Sequence, residues 1–217
     1  MITTLLLDMD DTLYAERDYV ISGLTAIAEY LNSHHGTNAV EVLAYMVKIL
    51  EREGRGKIFN RTLDHYGLPS SDEFIETLVQ IYRNHKPSIR LYDGILETIT
   101  QLKSNYKLAI VTDGMTIMQQ QKVAALGLNT LIDTIVYSWA EDAPKPDPKG
   151  FQKALDLLAS TRQQAMIIGD NPVNDGQAAA ALNIPFVQVM TDNHTHANNN
   201  AIESFNHLPT YLDQLTC

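Results

Sequence analysis

Two aspartates, Asp8 and Asp10, follow directly on the apolar run Ile2-Thr3-Thr4-Leu5-Leu6-Leu7. Carboxylates delivered side by side at the end of a buried segment repel each other unless a cation or a proton sits between them. Groups of the same kind recur downstream. They are Thr112-Asp113-Gly114, Lys145 within Ala143-Pro144-Lys145-Pro146-Asp147, and Gly169-Asp170 followed by Asp175. Hard carboxylate oxygens with few soft ligands suit Mg2+, which keeps several waters and pairs with phosphate. A lysine and a hydroxyl suit a phosphoryl group. The set fits attack on phosphorus, and fits redox chemistry or acyl transfer poorly.

The elements that must position these groups can be read from the same chain. The first apolar run reads as a buried parallel strand. Four further strands are expected at Lys107–Val111, Thr134–Tyr137, Ala165–Ile168 and Pro185–Val189. Helical segments separate them. One begins near Asp93-Gly94 and buries Ile95, Ile99 and Leu102, and another runs from about Met115 to Leu126 and stops at Gly127. A third opens at Asp147-Pro148 and buries Phe151, Ala154, Leu155 and Leu158, and an alanine-rich fourth ends near Leu182. Strands alternating with helices predict an α/β fold with a doubly wound, mainly parallel sheet. In such sheets ligands bind at the carboxyl ends of the strands, where all the groups named above fall.

Residues 14–87 break the alternation and read as helix after helix, punctuated by Gly36, Gly54-Arg55-Gly56 and Gly67-Leu68-Pro69. The expected organisation is a core of residues 1–13 and 88–217 with a helical-bundle domain, residues 14–87, inserted after the first strand. An insertion at that point suggests a lid. Gly54-Arg55-Gly56-Lys57 offers a flexible, cationic grip on an anion, so Arg55 is a candidate contact for the leaving group; a solvated turn is the competing reading. Tyr14, Glu16, Arg17 and Tyr19 are placed to line the entrance.

Composition narrows the function classes. Lys and Arg number 16 against 26 Asp and Glu, a formal net charge of −10, which argues against nucleic-acid or anionic-membrane partners. No apolar run approaches the ~20 residues of a membrane span. The single cysteine, Cys217, is the last residue, and no signal peptide is evident. A cytoplasmic enzyme acting on a small phosphorylated substrate is expected, with the oligomeric state open. His34-His35 and His194-x-His196 lack a third ligand at metal-site spacing and read as surface, and the polar run Asn193–Asn200 reads as a solvated loop.

The motifs together resemble those of the haloacid dehalogenase-like hydrolase superfamily, in its phosphatase branch with a C1-type helical cap. Asp8-x-Asp10-x-Thr12, Thr112, Lys145 and Gly169-Asp170 with Asp175 occur in that superfamily's order. The resemblance implies that Asp8 is the nucleophile, forming an aspartyl-phosphate, and that Asp10 is the general acid and then the general base. It implies that Thr112 and Lys145 bind and neutralise the phosphoryl group. Mg2+ would be held by Asp8, Asp10 through its backbone carbonyl, Asp170 and Asp175. Asp113 and Gly114 are candidate substrate contacts, although Asp113 stands where many relatives carry asparagine and can equally be a turn acid. Ala143-Pro144 also departs from the usual pattern, which leaves Lys149 as a rival of Lys145; the helix start at Asp147-Pro148 favours Lys145. Asp11 reads as a turn residue. A phosphomutase of the same superfamily and a non-catalytic phospho-accepting signalling or binding protein are the alternatives; a dehalogenase needs no acid for its leaving halide, and Asp10 supplies one.

Overall fold

The computed structural model describes residues 1–191 and 200–215. The chain divides into two compact units, one of Met1–Glu16 with Arg90–Cys217 and one of Arg17–Ile89. His194, His196, Cys217 and all of the polar run but Asn200 lie outside the described residues.

The first unit is built on a parallel sheet of β1 (Thr4–Leu7), β2 (Lys107–Thr112), β3 (Thr134–Tyr137), β4 (Ala165–Gly169), β5 (Phe186–Val189) and β6 (Ala201–Ile202), in the order β3-β2-β1-β4-β5-β6. The α/β class and parallel sheet match expectation. β6, only two residues long, is too short to leave a periodic signal and was not expected. β1 and β4 are buried along their whole length, which is why they are apolar at every position instead of alternating.

Among the described residues, five α-helices complete this unit: α5 (Ile95–Lys103), α6 (Thr116–Ala125), α7 (Lys149–Leu157), α8 (Gln177–Leu182) and α9 (Leu208–Gln214), numbered after the four of the second unit, α1 (Glu16–His35), α2 (Ala39–Glu53), α3 (Ile58–His65) and α4 (Asp72–Asn84). Phe151, Ala154 and Leu155 from α7 and Ala178, Ala179 and Leu182 from α8 pack on Leu6, Ala109, Val111 and Ile167. Strand side chains alternate between faces, so Leu5, Leu7, Leu108 and Ile110 point the other way, and they are just as buried.

The register carries the functional consequence. Leu7 lies beside Ile110 on one side and Ile168 on the other. The chain runs outward from β1 to β2 and β3, and then returns to β4 on the opposite flank. The gap between β1 and β4 is therefore a topological switch point, where helices diverge and leave a crevice at the carboxyl ends. Asp8 emerges there, its N–H donating to Ile168 O at 2.8 Å.

In the second unit, α1 to α4 share a core that includes Leu24, Ile27, Leu31, Val42, Met46, Leu63 and Leu78. Asn38 caps α2 by accepting the Val40 N–H at 3.0 Å, and Ser71 caps α4 by accepting the Phe74 N–H at 3.2 Å. Gly54 ends α2 at φ +74°, a conformation that favours glycine.

Leu6 is fully buried in the central strand. Leu6→Ala is expected to cost about 2–5 kcal/mol, read as a lower urea midpoint in equilibrium unfolding.

Candidate active site

Asp8 is where the switch point concentrates charge. Its Oδ1 accepts from Lys145 Nζ at 2.5 Å and its Oδ2 from the Thr12 hydroxyl at 3.0 Å. Thr12 Oγ1 in turn accepts the Asp170 N–H at 3.1 Å, so one hydroxyl ties the ends of β1 and β4 together. Lys145 Nζ also lies 2.8 Å from Asp175 Oδ1, with its side chain only 2% exposed and over the Phe151 ring at 5.3 Å from the centroid. Lys149, the rival lysine, keeps a side chain 73% exposed and pairs with Asp147.

Backbone geometry brings Asp175 back to its partners. Asn171 accepts the N–H groups of Val173 and Asn174, and the chain makes a π-helical turn over Pro172–Gly176 before α8. Gly169 makes room for the result. A Cβ there would overlap the Asp175 carboxylate and lie 3.1 Å from Asp8 Cβ.

Among the described residues, seven carboxylates (Asp8, Asp10, Asp11, Glu16, Asp113, Asp170 and Asp175) line one open cavity of about 350 Å3 with a single ammonium, Lys145. That imbalance shapes the ionisation. Burial is the main cause that pushes Asp8 up to about 7; Lys145 opposes it, and Asp175 and Asp10 add to it. Burial also raises Asp175, against the pull of Lys145. Burial pulls Lys145 down, but Asp175 and Asp8 overcome it and hold the ammonium well above its ordinary value. One ammonium between two carboxylates leaves a negative charge over, which a proton or a metal ion can balance. Asp8, Asp170 and Asp175 each bring one oxygen to within 4.8 Å of the others. Three oxygen donors that are all carboxylates fit a hard divalent cation.

The other candidate residues are placed as follows. The Asp10 carboxylate turns toward α6: Oδ1 accepts from Lys122 Nζ at 2.7 Å and from the Tyr14 hydroxyl, and Oδ2 accepts from Gln119 Nε2 at 2.7 Å. Thr112 is fully buried, and its Oγ1 accepts from the same Gln119 amide at 2.5 Å. The Asp113 carboxylate accepts the Lys145 N–H, at 3.0 Å to Oδ2, and so fixes the loop that carries the lysine. Gly114 takes φ +124° beside the Gln119 side chain. Asp11, at φ +57°, accepts the Glu16 N–H at 2.8 Å and starts α1. Glu16 lines the cavity, whereas Tyr14 is buried, its phenol pushed up by burial and by Asp10. Arg17, Tyr19 and Arg55 belong to the helical unit, Arg55 on the exposed segment between α2 and α3.

Gln119 and Lys122 were not picked out from the sequence. Their signal was present, since they occupy the first two places of an i, i+3, i+4, i+7 stripe completed by Val123 and Leu126, where a helix normally buries apolar residues. A buried polar pair on such a stripe demands a partner.

A parallel sheet with these acids and this lysine at its switch point is the architecture of a hydrolase class, and the sequence comparison defines it. The family model for haloacid dehalogenase-like hydrolases matches residues 5–189. The chain belongs to that family. Glyceraldehyde 3-phosphate phosphatase of Methanocaldococcus jannaschii is 27% identical over 195 residues, covering 88% of this chain and 86% of that protein. Pyrophosphatase PpaX of Listeria innocua is 32% identical over 176 residues, covering 78% of this chain and 75% of that protein. The solved structure of the HAD-hydrolase YfnB of Bacillus subtilis bound to magnesium matches with a TM-score of 0.70 at 19% identity, covering 98% of this chain and 99% of that one. This likeness is one of fold. Among the described residues, no helix is long and apolar enough to cross a membrane.

Two outcomes are expected from this geometry. Gly169→Ala should weaken divalent-cation binding by about tenfold or more and cost about 1–3 kcal/mol through overpacking against Asp175, measured by calorimetric titration and urea unfolding. The second outcome concerns pH. Asp8 is raised in the folded state from 3.8 to about 7, so the native protein binds the proton more tightly than the unfolded chain. Its contribution to stability therefore falls as pH rises through that window. The melting temperature of EDTA-treated protein should drop between about pH 5 and pH 7.5, less steeply in Asp8→Asn, and a saturating divalent cation should remove the drop.

Proposed function

We propose that this protein is a Mg2+-dependent phosphatase that hydrolyses a small phosphorylated metabolite, such as a sugar phosphate or a nucleoside monophosphate, by way of a phosphorylated Asp8. One observation carries the reading: the Asp8 carboxylate, held by Lys145 and Thr12, sits beside Asp170 and Asp175 at the mouth of the switch point. The two relatives named above as phosphatase and pyrophosphatase support attack on phosphorus as the shared chemistry.

In the first half-reaction an Asp8 oxygen attacks phosphorus and the bond to the leaving oxygen breaks. Asp10 gives its proton to that oxygen. In the second, the Asp10 carboxylate takes a proton from water, the water oxygen attacks phosphorus, and the bond to Asp8 breaks. Inorganic phosphate leaves, and Asp10 is protonated again. Lys145 offsets charge on Asp8 and on the phosphoryl oxygens throughout. Thr112 donates its hydroxyl hydrogen to the phosphoryl group, its oxygen being occupied as acceptor by Gln119. Gly114 shapes the loop beside it, and Asp113 serves the site through Lys145. Mg2+, held by Asp8, Asp170, Asp175 and the Asp10 carbonyl, would neutralise charge on the transferring group.

The helical unit follows the Asp8–Asp10 turn directly in the chain, which supports a lid role in excluding water. Arg55 is its proposed contact with the leaving group.

The test is phosphate release from a panel of sugar phosphates, nucleotides and small organic phosphates. Wild-type release should depend on Mg2+, vanish in EDTA, and vanish in Asp8→Asn. Release that persists in Asp8→Asn would remove the phospho-Asp8 route. On the best substrate, Arg55→Ala should raise KM more than it lowers kcat, and an unchanged KM would remove Arg55 from the substrate site.

A further inference from the structure

We propose that Gln119 and Lys122 of α6 are positioning residues that set Asp10 for its two proton transfers and lock it to Thr112. The inference rests on the phosphatase reading above and adds to it two residues that no motif of the chain marks.

Gln119 and Lys122 are 2% and 3% exposed. Burying an ammonium and a primary amide costs free energy unless both are paired. Here both are paired with one carboxylate. Lys122 takes Asp10 Oδ1 at 2.7 Å and Gln119 takes Oδ2 at 2.7 Å, so the two oxygens are held by one helix face. The Gln119 amide also donates to Thr112 Oγ1 at 2.5 Å. It therefore joins the end of β2 to the turn after β1, groups that are 102 residues apart in sequence (112 − 10). Tyr14 completes the clamp on Oδ1.

A buried ion pair contributes little to stability compared with apolar residues of the same volume. Its value here lies in geometry. Asp10 stands on a turn that leaves the strand, next to a residue at φ +57°. A proton donor and acceptor must meet the leaving oxygen, and then the attacking water, at hydrogen-bond distance. A rigid helix grips the carboxylate more reproducibly than the turn alone.

The experiment separates positioning from folding. p-Nitrophenolate is a good leaving group that needs no proton from Asp10, whereas attack of water on phospho-Asp8 needs Asp10 as base. Rapid-quench kinetics with p-nitrophenyl phosphate and Mg2+ would compare wild type, Lys122→Met, Lys122→Arg and Gln119→Met. Lys122→Met should release its first equivalent of p-nitrophenolate at near the wild-type rate, then turn over at least ~10-fold more slowly. Acid-quenched protein should then carry one phosphoryl group on Asp8. With glycerol phosphate, whose leaving group does need a proton, the first turnover should slow as well. Lys122→Arg should recover most of the loss. Gln119→Met removes no charge, folds independently of the buried ion pair, and should show the same split. A burst and a steady state that fall together, or that both stay at the wild-type rate, would overturn the inference while leaving the phosphatase reading intact. Wild-type protein that releases no p-nitrophenolate would overturn both.

Discussion

The charge balance around Asp8 is the constraint on which the rest of the site depends. Two buried carboxylates, Asp8 and Asp175, share one buried ammonium, Lys145, and a third, Asp170, stands within reach. Asp8, Asp175 and Lys145 alone are one positive charge short of balance, and Asp170 widens the deficit to two. In the free protein a proton on Asp8 can make up part of the difference, in line with its rise to about 7. A hard divalent cation would make it up better, since Asp8, Asp170 and Asp175 each bring an oxygen to within 4.8 Å of the others. A cation bound there would hold Asp8 ionised, the form that its proposed role as nucleophile requires.

The architecture supports this arrangement with unusual economy of chain. Asp8 and Asp170 reach the same point because β1 and β4 are neighbours across the switch point, and Thr12 bonds to both. Lys145 comes from the loop after β3, two strands away from β1, so it needs its own anchor. Asp113, at the end of the intervening β2, provides it by accepting the Lys145 N–H. Gly169 and the turn at Pro172–Gly176 let Asp175 fold back against Asp8 without a side chain in the way. α6 supports Asp10 and Thr112 from another direction. Asp8, Asp10, Thr112 and Lys145 are thus each held by a group from a different strand, helix or loop.

Much of this was legible in the sequence, and for identifiable reasons. Buried parallel strands must be apolar throughout and must end where polar chemistry begins, so β1, β2 and β4 announced themselves and placed Asp8, Thr112 and Asp170 at their ends. β6 was missed because two residues carry no period. Asp113 reads in the sequence as either a turn acid or a substrate contact; its carboxylate accepts the Lys145 N–H, a bond between loops that linear order does not reveal. Gln119 and Lys122 were passed over because a glutamine and a lysine on a helix usually face water.

The sequence by itself determined the parallel α/β class, the strand ends that carry acids, the lysine and hydroxyl, and the type of chemistry those groups suit. These are local properties, set by hydrophobic period, turn residues and the functional groups themselves. Only the tertiary structure decided which groups meet: Lys145 on Asp8 and Asp175, Thr12 on Asp8 and Asp170, and Gln119 and Lys122 on Asp10. Those contacts depend on strand order and register, which are fixed by how whole faces of the sheet and helices pack together.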